Sequence, residues 1–153
     1  MTDTLCQSTR HERWALAVRI GKNLHAIPLG AVEEVLPALP IETVPQCPDF
    51  LRGVVFVRGH LIPVLNAAER LGLANNSQIG EIHIICLRVA ERLIGVEVDE
   101  AIDLIDLGRG VELSATEIGA HAGFFSGVVD LDGQLFRILD PSRLLLTEEL
   151  AAF

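Results

Sequence analysis

At 153 residues the chain is one domain or two tightly fused small ones, and half of it is hydrophobic, enough to bury roughly 68–70% of the unfolded surface. Its net charge of −9, with Lys22 the single lysine, weighs against sequence-independent binding to DNA or RNA, which needs Lys and Arg to neutralise phosphates. No apolar run reaches the roughly 18 residues of a membrane span, the N-terminus lacks a signal-type apolar stretch, and Cys6, Cys47 and Cys86 are odd in number without CxxC spacing, so the expectation is a reduced cytoplasmic protein with no membrane insertion, disulfide framework or zinc site.

Residues 1–13 read as a flexible N-terminal segment. Trp14 to Ile20 alternates Trp14, Leu16, Val18 and Ile20 against Ala15, Ala17 and Arg19, the period of a strand. After the Gly21-Lys22-Asn23 turn, Leu24 to Pro28 is its short partner, and Ala31 to Leu36 fits a strand or one helical turn. Pro45 and Pro48 suit a turn between strands. Gly53 to Val57 and His60 to Leu65 form a hairpin around Arg58-Gly59, running into a short helix at Ala67 to Leu71 that Gly72 stops. A linker, Ala74 to Gly80, follows. Glu81 to Val89 and Leu93 to Val98 flank the turn Ala90-Glu91-Arg92, and Ala101 to Leu107 is a further strand. The stretch Gly108 to Gly123 reads as irregular, with Ser114 and Glu117 spaced for a capping box. Ser126 to Leu131 and Gln134 to Leu139 form a second hairpin around Asp132-Gly133. A helical segment at Pro141 to Leu146 has Asp140 as N-cap and Pro141 in first position, and residues 148–153 are a tail.

The two hairpins repeat each other. FLRGVVFVRGHLIPVL, from Phe50, and FFSGVVDLDGQLFRIL, from Phe124, align without a gap at an offset of 74 and agree at seven of sixteen positions. Upstream, Val18-Arg19-Ile20 echoes Leu87-Arg88-Val89. About ten short strands in two repeats predict an all-β fold of two packed five-stranded barrels, roughly 14–73 and 81–147, sharing an apolar interface within one domain spanning 14–147.

The repeat singles out Arg58. Asp132 suits the left-handed geometry of a two-residue turn, and Gly59 and Gly133 meet its demand for positive φ. Arg gains nothing in that position, which points to an ion pair or a partner contact.

A resemblance adds to this reading. Ala26-Ile27-Pro28, Val32-Glu33-Glu34-Val35, Val44-Pro45-Gln46-Cys47-Pro48, the run from Arg52 to Gly59, and Ile62-Pro63-Val64-Leu65 together resemble the core signature of the CheW family. Gly95-Val96-Glu97-Val98-Asp99, Ser126-Gly127-Val128 and Ile138-Leu139-Asp140 resemble its second half, so the likeness covers about Trp14 to Leu146. It implies two SH3-like barrels and a non-catalytic adaptor of bacterial chemotaxis-type arrays. The implied partners are the regulatory domain of a CheA-type histidine kinase, itself of matching barrel type, and the cytoplasmic tip of a methyl-accepting chemoreceptor. The expected location is cytoplasmic, at membrane-associated receptor arrays. No enzyme activity, cofactor or metal is implied. The resemblance also places the counterpart of Glu34 beside that of Arg58. The chain departs from the family pattern at Phe56-Val57, where Asn commonly precedes Leu-Arg-Gly, at Asn66, where Asp is common, and at Phe136-Arg137. Output through flagella or pili is left open by the sequence.

The expected partner-binding residues are Arg58, Glu34, Val32, Val35, Gly53, Phe56, Gly59 and Leu61. Two competing classes are a small cysteine hydrolase using Cys47 and His60, with Asn66 third in a papain-like order, and a structural β-barrel with no signalling role. Cys47 lies between Gln46 and Pro48, with no following helix to lower its pKa. The five histidines lack ligand spacing, Gly108-Arg109-Gly110 is too short for a phosphate loop, and Asp99, Glu100, Asp103 and Asp106 read as a solvated strand edge.

Overall fold

The computed structural model describes residues 13–73, 82–113 and 123–144. The linker at 74–80, the capping box at Ser114 and Glu117, most of the N-terminal segment and the tail lie outside them. The described chain runs β1 (Trp14–Ile20), β2 (Asn23–Pro28), β3 (Val32–Pro37), β4 (Leu51–Val57), β5 (His60–Asn66), α1 (Ala67–Leu71), β6 (His83–Val89), β7 (Arg92–Val98), β8 (Glu100–Asp106), β9 (Val111–Leu113), β10 (Phe125–Leu131) and β11 (Gln134–Leu139). Short 3₁₀ turns occupy Leu29–Ala31, Leu107–Arg109 and Pro141–Arg143.

The strands form a six-stranded sheet, β8-β1-β2-β11-β10-β9, and a five-stranded sheet, β3-β6-β7-β5-β4. This corrects the expected subdomains. The sheets do not divide the chain into halves at 14–73 and 81–147. The five-stranded sheet takes the continuous middle of the chain, and the six-stranded sheet combines β1 and β2 with everything after β7. The physical reason is that β5 and β11 each pair in parallel with a strand from the other repeat: Val64 opposite Gly95 on β7, and Arg137 opposite His25 on β2. A sixth strand, β9, lies in the described part of the stretch read as irregular, where Val111–Leu113 pairs antiparallel with β10. The expected helix from Pro141 appears as one 3₁₀ turn, with Asp140 accepting from the Ser142 amide as anticipated.

The hairpins carry the repeat into detail. Each ends in a two-residue turn with both residues at positive φ, Arg58 and Gly59 at 49° and 83°, and Asp132 and Gly133 at 53° and 84°, the type I′ geometry that matches strand twist. Each slips register at the same place, between Leu51 and Gly53 and between Phe125 and Gly127. The amide of Asn66 donates to Phe50 O at 2.7 Å, and the amide of Asp140 donates to Phe124 O at 2.9 Å, the same contact 74 residues on. Between the two copies lies Arg70 of α1, its guanidinium 4.2 Å from the Phe50 ring centroid and 5.4 Å from that of Phe124. Its Nε donates to Leu144 O at 2.6 Å.

Three apolar clusters hold the fold. Small Ala15, Ala17 and Ala26 with Val129, Phe136 and Ile138 fill the six-stranded barrel, and Leu36, Val55, Ile62, Val64, Ile84 and Cys86 fill the five-stranded one. The largest cluster lies between them. It takes Leu16, Val18, Ile20 and Ile27 from one sheet and Leu65, Ile85, Leu87, Ile94 and Val96 from the other. Strand β1 thus buries both faces, its alternation sorting alanines inward and branched residues toward the other barrel. Each fully buried Leu or Ile contributes roughly 1.5–3 kcal/mol, so the shared cluster holds the barrels together.

Candidate functional site

Strand β3 and strand β4 are the two ends of the five-stranded sheet. Glu34 stands on β3, opposite Cys86 of β6, just after a register shift between Val32 and Glu34. Arg58 stands in the β4–β5 turn. Its guanidinium grips the Glu34 carboxylate with two parallel bonds, Nη1 to Oε1 and Nη2 to Oε2, the second 2.6 Å long. The pair bridges the two ends of the sheet. A bidentate Arg–carboxylate contact is geometrically specific, and the Arg58 side chain is 72% exposed while that of Glu34 is 27% exposed. The hydrogen bond to Glu34, then its charge, holds the Arg58 pKa above its ordinary value. Beneath the pair, burial first and Glu34 second push the Cys86 thiol up to about 11.

The neighbouring expected residues divide into two groups. Phe56 and Leu61 face each other across the hairpin and are 70% and 66% exposed. Val35 is exposed on β3. Phe56 and Leu61 lie on the hairpin whose turn carries Arg58, and Val35 follows Glu34 on β3. On the second hairpin Asp130 stands where Phe56 does on the first, and its carboxylate accepts from the Gly133 amide, so the exposed Phe–Leu pair belongs to the first copy alone. Val32, by contrast, packs against the central cluster. Gly53 is buried, and Gly59 is a turn residue. Gly53 has φ +146°, and a Cβ there would sit 2.0 Å from Glu42 O. Val32 and Gly53 thus face inward, while Gly59 is exposed in the turn beside Arg58. Beside Leu61 runs an open groove of about 430 Å³, lined by His60, Pro63, Arg88, Arg92 and Leu93 among others.

Cys47 and His60 lead apart. The Cys47 thiol donates to Val44 O at 2.9 Å and lies 3.7 Å from Leu51 O, and His60 lines the groove beside β6 and β7. Asn66 is a helix cap, accepting from the Glu69 amide at 2.9 Å and donating to Glu97 Oε1 at 3.0 Å. The three side chains each serve a different local structure. Among the described residues, no group of three or more His, Cys, Asp or Glu side chains is placed to hold a metal ion.

The acidic stretch on β8 is more than a solvated edge. Asp99 accepts from the Gly21 amide, Glu100 pairs with Arg19 at 2.6 Å, and Asp106 receives two 2.9 Å bonds from Arg13. The Arg13 hydrogen bond holds the Asp106 carboxyl below its usual range. Sequence reasoning missed a second exposed apolar strip on the six-stranded sheet, Trp14, Ile102 and Leu104, each about half exposed. Leu104 lies opposite Leu16 on β1. A signal was present: Ile102 and Leu104 alternate with Asp103 as strand residues do, yet the sheet order leaves β8 on an edge.

The sequence profile of the CheW-like domain matches residues 15–149. The chain is 24% identical over 151 residues to a chemotaxis protein CheW of Rhizobium meliloti, covering 97% of each chain. It is 29% identical over 131 residues to a chemotaxis protein CheW of Thermotoga maritima, covering 85% of each. Its fold superposes on the crystal structure of the scaffolding protein TtCheW from Thermoanaerobacter tengcongensis with a TM-score of 0.79, at 19% identity and 92% coverage of both chains. A two-barrel fold, a duplicated hairpin bearing an exposed Arg–Glu clasp, and a profile match over nearly the whole described chain lead to one assignment: the chain belongs to the CheW-like domain family.

Proposed function

We propose that the chain is a non-catalytic adaptor coupling chemoreceptors to a CheA-type histidine kinase in a bacterial chemosensory array of chemotaxis or pilus-motility type. Its partners in this reading are the kinase regulatory domain and the cytoplasmic tip of a methyl-accepting chemoreceptor. The observation that carries it is the exposed Glu34–Arg58 clasp beside Val35, Phe56 and Leu61, in a chain of the CheW-like family. A turn gains nothing from Arg at φ 49°, and the side chain is spread over the surface. Arg and large aromatic residues are the types most often found at binding hot spots. Val32 and Gly53 support this surface from beneath, and Gly59 is exposed on it beside Arg58. Among the described residues no helix is long and apolar enough to cross a membrane, so this adaptor reaches a membrane array through the receptor. Each interface is of modest size, roughly 1,200–1,600 Å² in total, and several act together through avidity.

The test is titration of the purified kinase regulatory domain and of a receptor-tip helical hairpin against wild type, Arg58→Ala, Glu34→Ala and the double variant. Arg58→Ala weakens binding of at least one partner tenfold or more, corresponding to about 1.4 kcal/mol. The double variant costs less than the sum of the single ones if the pair acts as a unit. A wild-type chain that binds neither partner defeats the reading. Unaltered binding of both by Arg58→Ala defeats the assignment of the site.

A further inference from the structure

The two parallel seams of the fold are built unequally. In the five-stranded sheet β5 meets β7 through three registered pairs, from Val64–Gly95 to Asn66–Glu97. Side chains reinforce that seam, since Glu97 accepts from Asn66 Nδ2 at 3.0 Å and pairs with Arg52 at 3.2 Å. In the six-stranded sheet β11 meets β2 through two registered pairs, Arg137–His25 and Ile138–Ala26. This ladder joins one three-stranded unit, β8-β1-β2, to another, β11-β10-β9.

The residue at its centre is His25, which is fully buried. Its Nδ1 lies 3.2 Å from Asn23 O, so in the neutral ring Nδ1 carries the hydrogen and donates. Nε2 is then a bare acceptor, and among the described residues no atom hydrogen-bonds to it. Phe125 of β10 lies against the ring at 5.6 Å. Across the ladders stand Val18 of β1 and Arg137 of β11. Among these neighbours the one charge is a cation. A proton added to Nε2 would therefore be buried without a carboxylate or acceptor to receive it.

We infer that the β2–β11 seam is the opening point of the six-stranded barrel, and that His25 is its acid-sensitive latch, closed while the ring is neutral and released when it takes a second proton. Burial, with Arg137 adding to it, lowers the His25 pKa to about 4, against about 6.5 for a solvated imidazole. The closed seam is thus fully favoured above pH 6.5 and loses that advantage as the pH falls toward 4. Release would let the β8 strip of Ile102 and Leu104 move relative to β9-β10-β11.

The experiment is native-state hydrogen exchange of the full chain, followed by NMR at pH 7 and pH 5, on wild type and His25→Leu. At pH 7 the ladder amides of residues 25–26 and 137–138, corrected for intrinsic rates, exchange at least tenfold faster than those of residues 64–66 and 95–97. On going to pH 5 that ratio rises about twentyfold further in wild type, the factor set by the two pKa values. It stays flat in His25→Leu. Equal protection of the two seams at pH 7 overturns the inference, as does a ratio that rises equally in His25→Leu. A wild-type acid response spread evenly over both sheets overturns it too, so the wild-type series decides even if the variant fails to fold.

Discussion

Replacing Gly53 by Ala tests whether the first hairpin is held by its close approach to the segment before it. A Cβ built at Gly53 meets Glu42 O at 2.0 Å, Glu42 C at 2.8 Å and Ile41 Cγ2 at 2.9 Å. Two of these atoms are backbone, so relief requires the Ile41–Glu42 chain to move away. That chain is tied to β4 by two hydrogen bonds, Glu42 N to Val54 O and Val54 N to Glu42 O, both 2.9 Å. Losing both costs about 1–3 kcal/mol at the usual net value per bond. Holding an L-residue at φ +146° adds roughly 1–3 kcal/mol of backbone strain. The expected loss is about 2–6 kcal/mol, or roughly 4–24 °C in Tm for a chain of this size. Gly59→Ala is the control: φ is +83° but nothing lies within 4 Å of its Cβ, so only about 1 kcal/mol of left-handed strain applies. Urea unfolding of both variants separates crowding from conformation. If Gly53→Ala costs no more than Gly59→Ala, the close approach is not what fixes Gly53.

Other outcomes follow from the same structure. Phe56→Asn, which removes a side chain 70% exposed, leaves stability within about 0.5 kcal/mol and weakens kinase or receptor binding tenfold or more in the titrations described above; unchanged affinity for both would remove it from the site. Cys86, buried and with its thiol pushed up to about 11, resists iodoacetamide at pH 7.5 in the folded chain and labels once unfolded in urea, and rapid native labelling would contradict its placement. Asn66→Ala loses both the cap on Glu69 and the bond to Glu97, with an expected cost of about 1–2 kcal/mol in urea unfolding; a change below about 0.3 kcal/mol would show that neither bond matters.

Local chemistry made much of this fold legible. Period-two alternation located β1, and Gly and Asp at the second hairpin fixed its turn. Arg58 stood out because the copy has Asp132 at that turn position, and the family resemblance supplied Glu34 as its neighbour, which led to the Glu34–Arg58 clasp. What stayed hidden depends on pairing across the chain. Parallel partners of β5 and β11 leave no mark in the strands themselves, so the exchange of β1 and β2 between repeats could not be read. Exposure on edges is hidden for the same reason. Val32 looks like Val35 in the sequence, yet Val32 packs against the central cluster while Val35 is exposed, and the close approach of Glu42 to Gly53 comes from a distant segment. The turn at Ala90 and Glu91 is legible from the strands that flank it, while its two positive φ values without glycine have no mark in the residue types.

The interleaving of the two sheets bears on the order of assembly. Strands β3 to β7 form a continuous stretch and pair among themselves, so they can close before the rest of the chain has been synthesised. Strands β1 and β2 leave the ribosome first but find β8 and β11 only after β7 has emerged, and until then the apolar edges of a lone hairpin are unsatisfied. Such sequence-distant pairing slows folding and leaves an early segment exposed to misassociation. A circular permutant that begins at β3 and appends β1 and β2 after the last strand would make both sheets local, and should refold faster than the natural order while reaching the same two barrels.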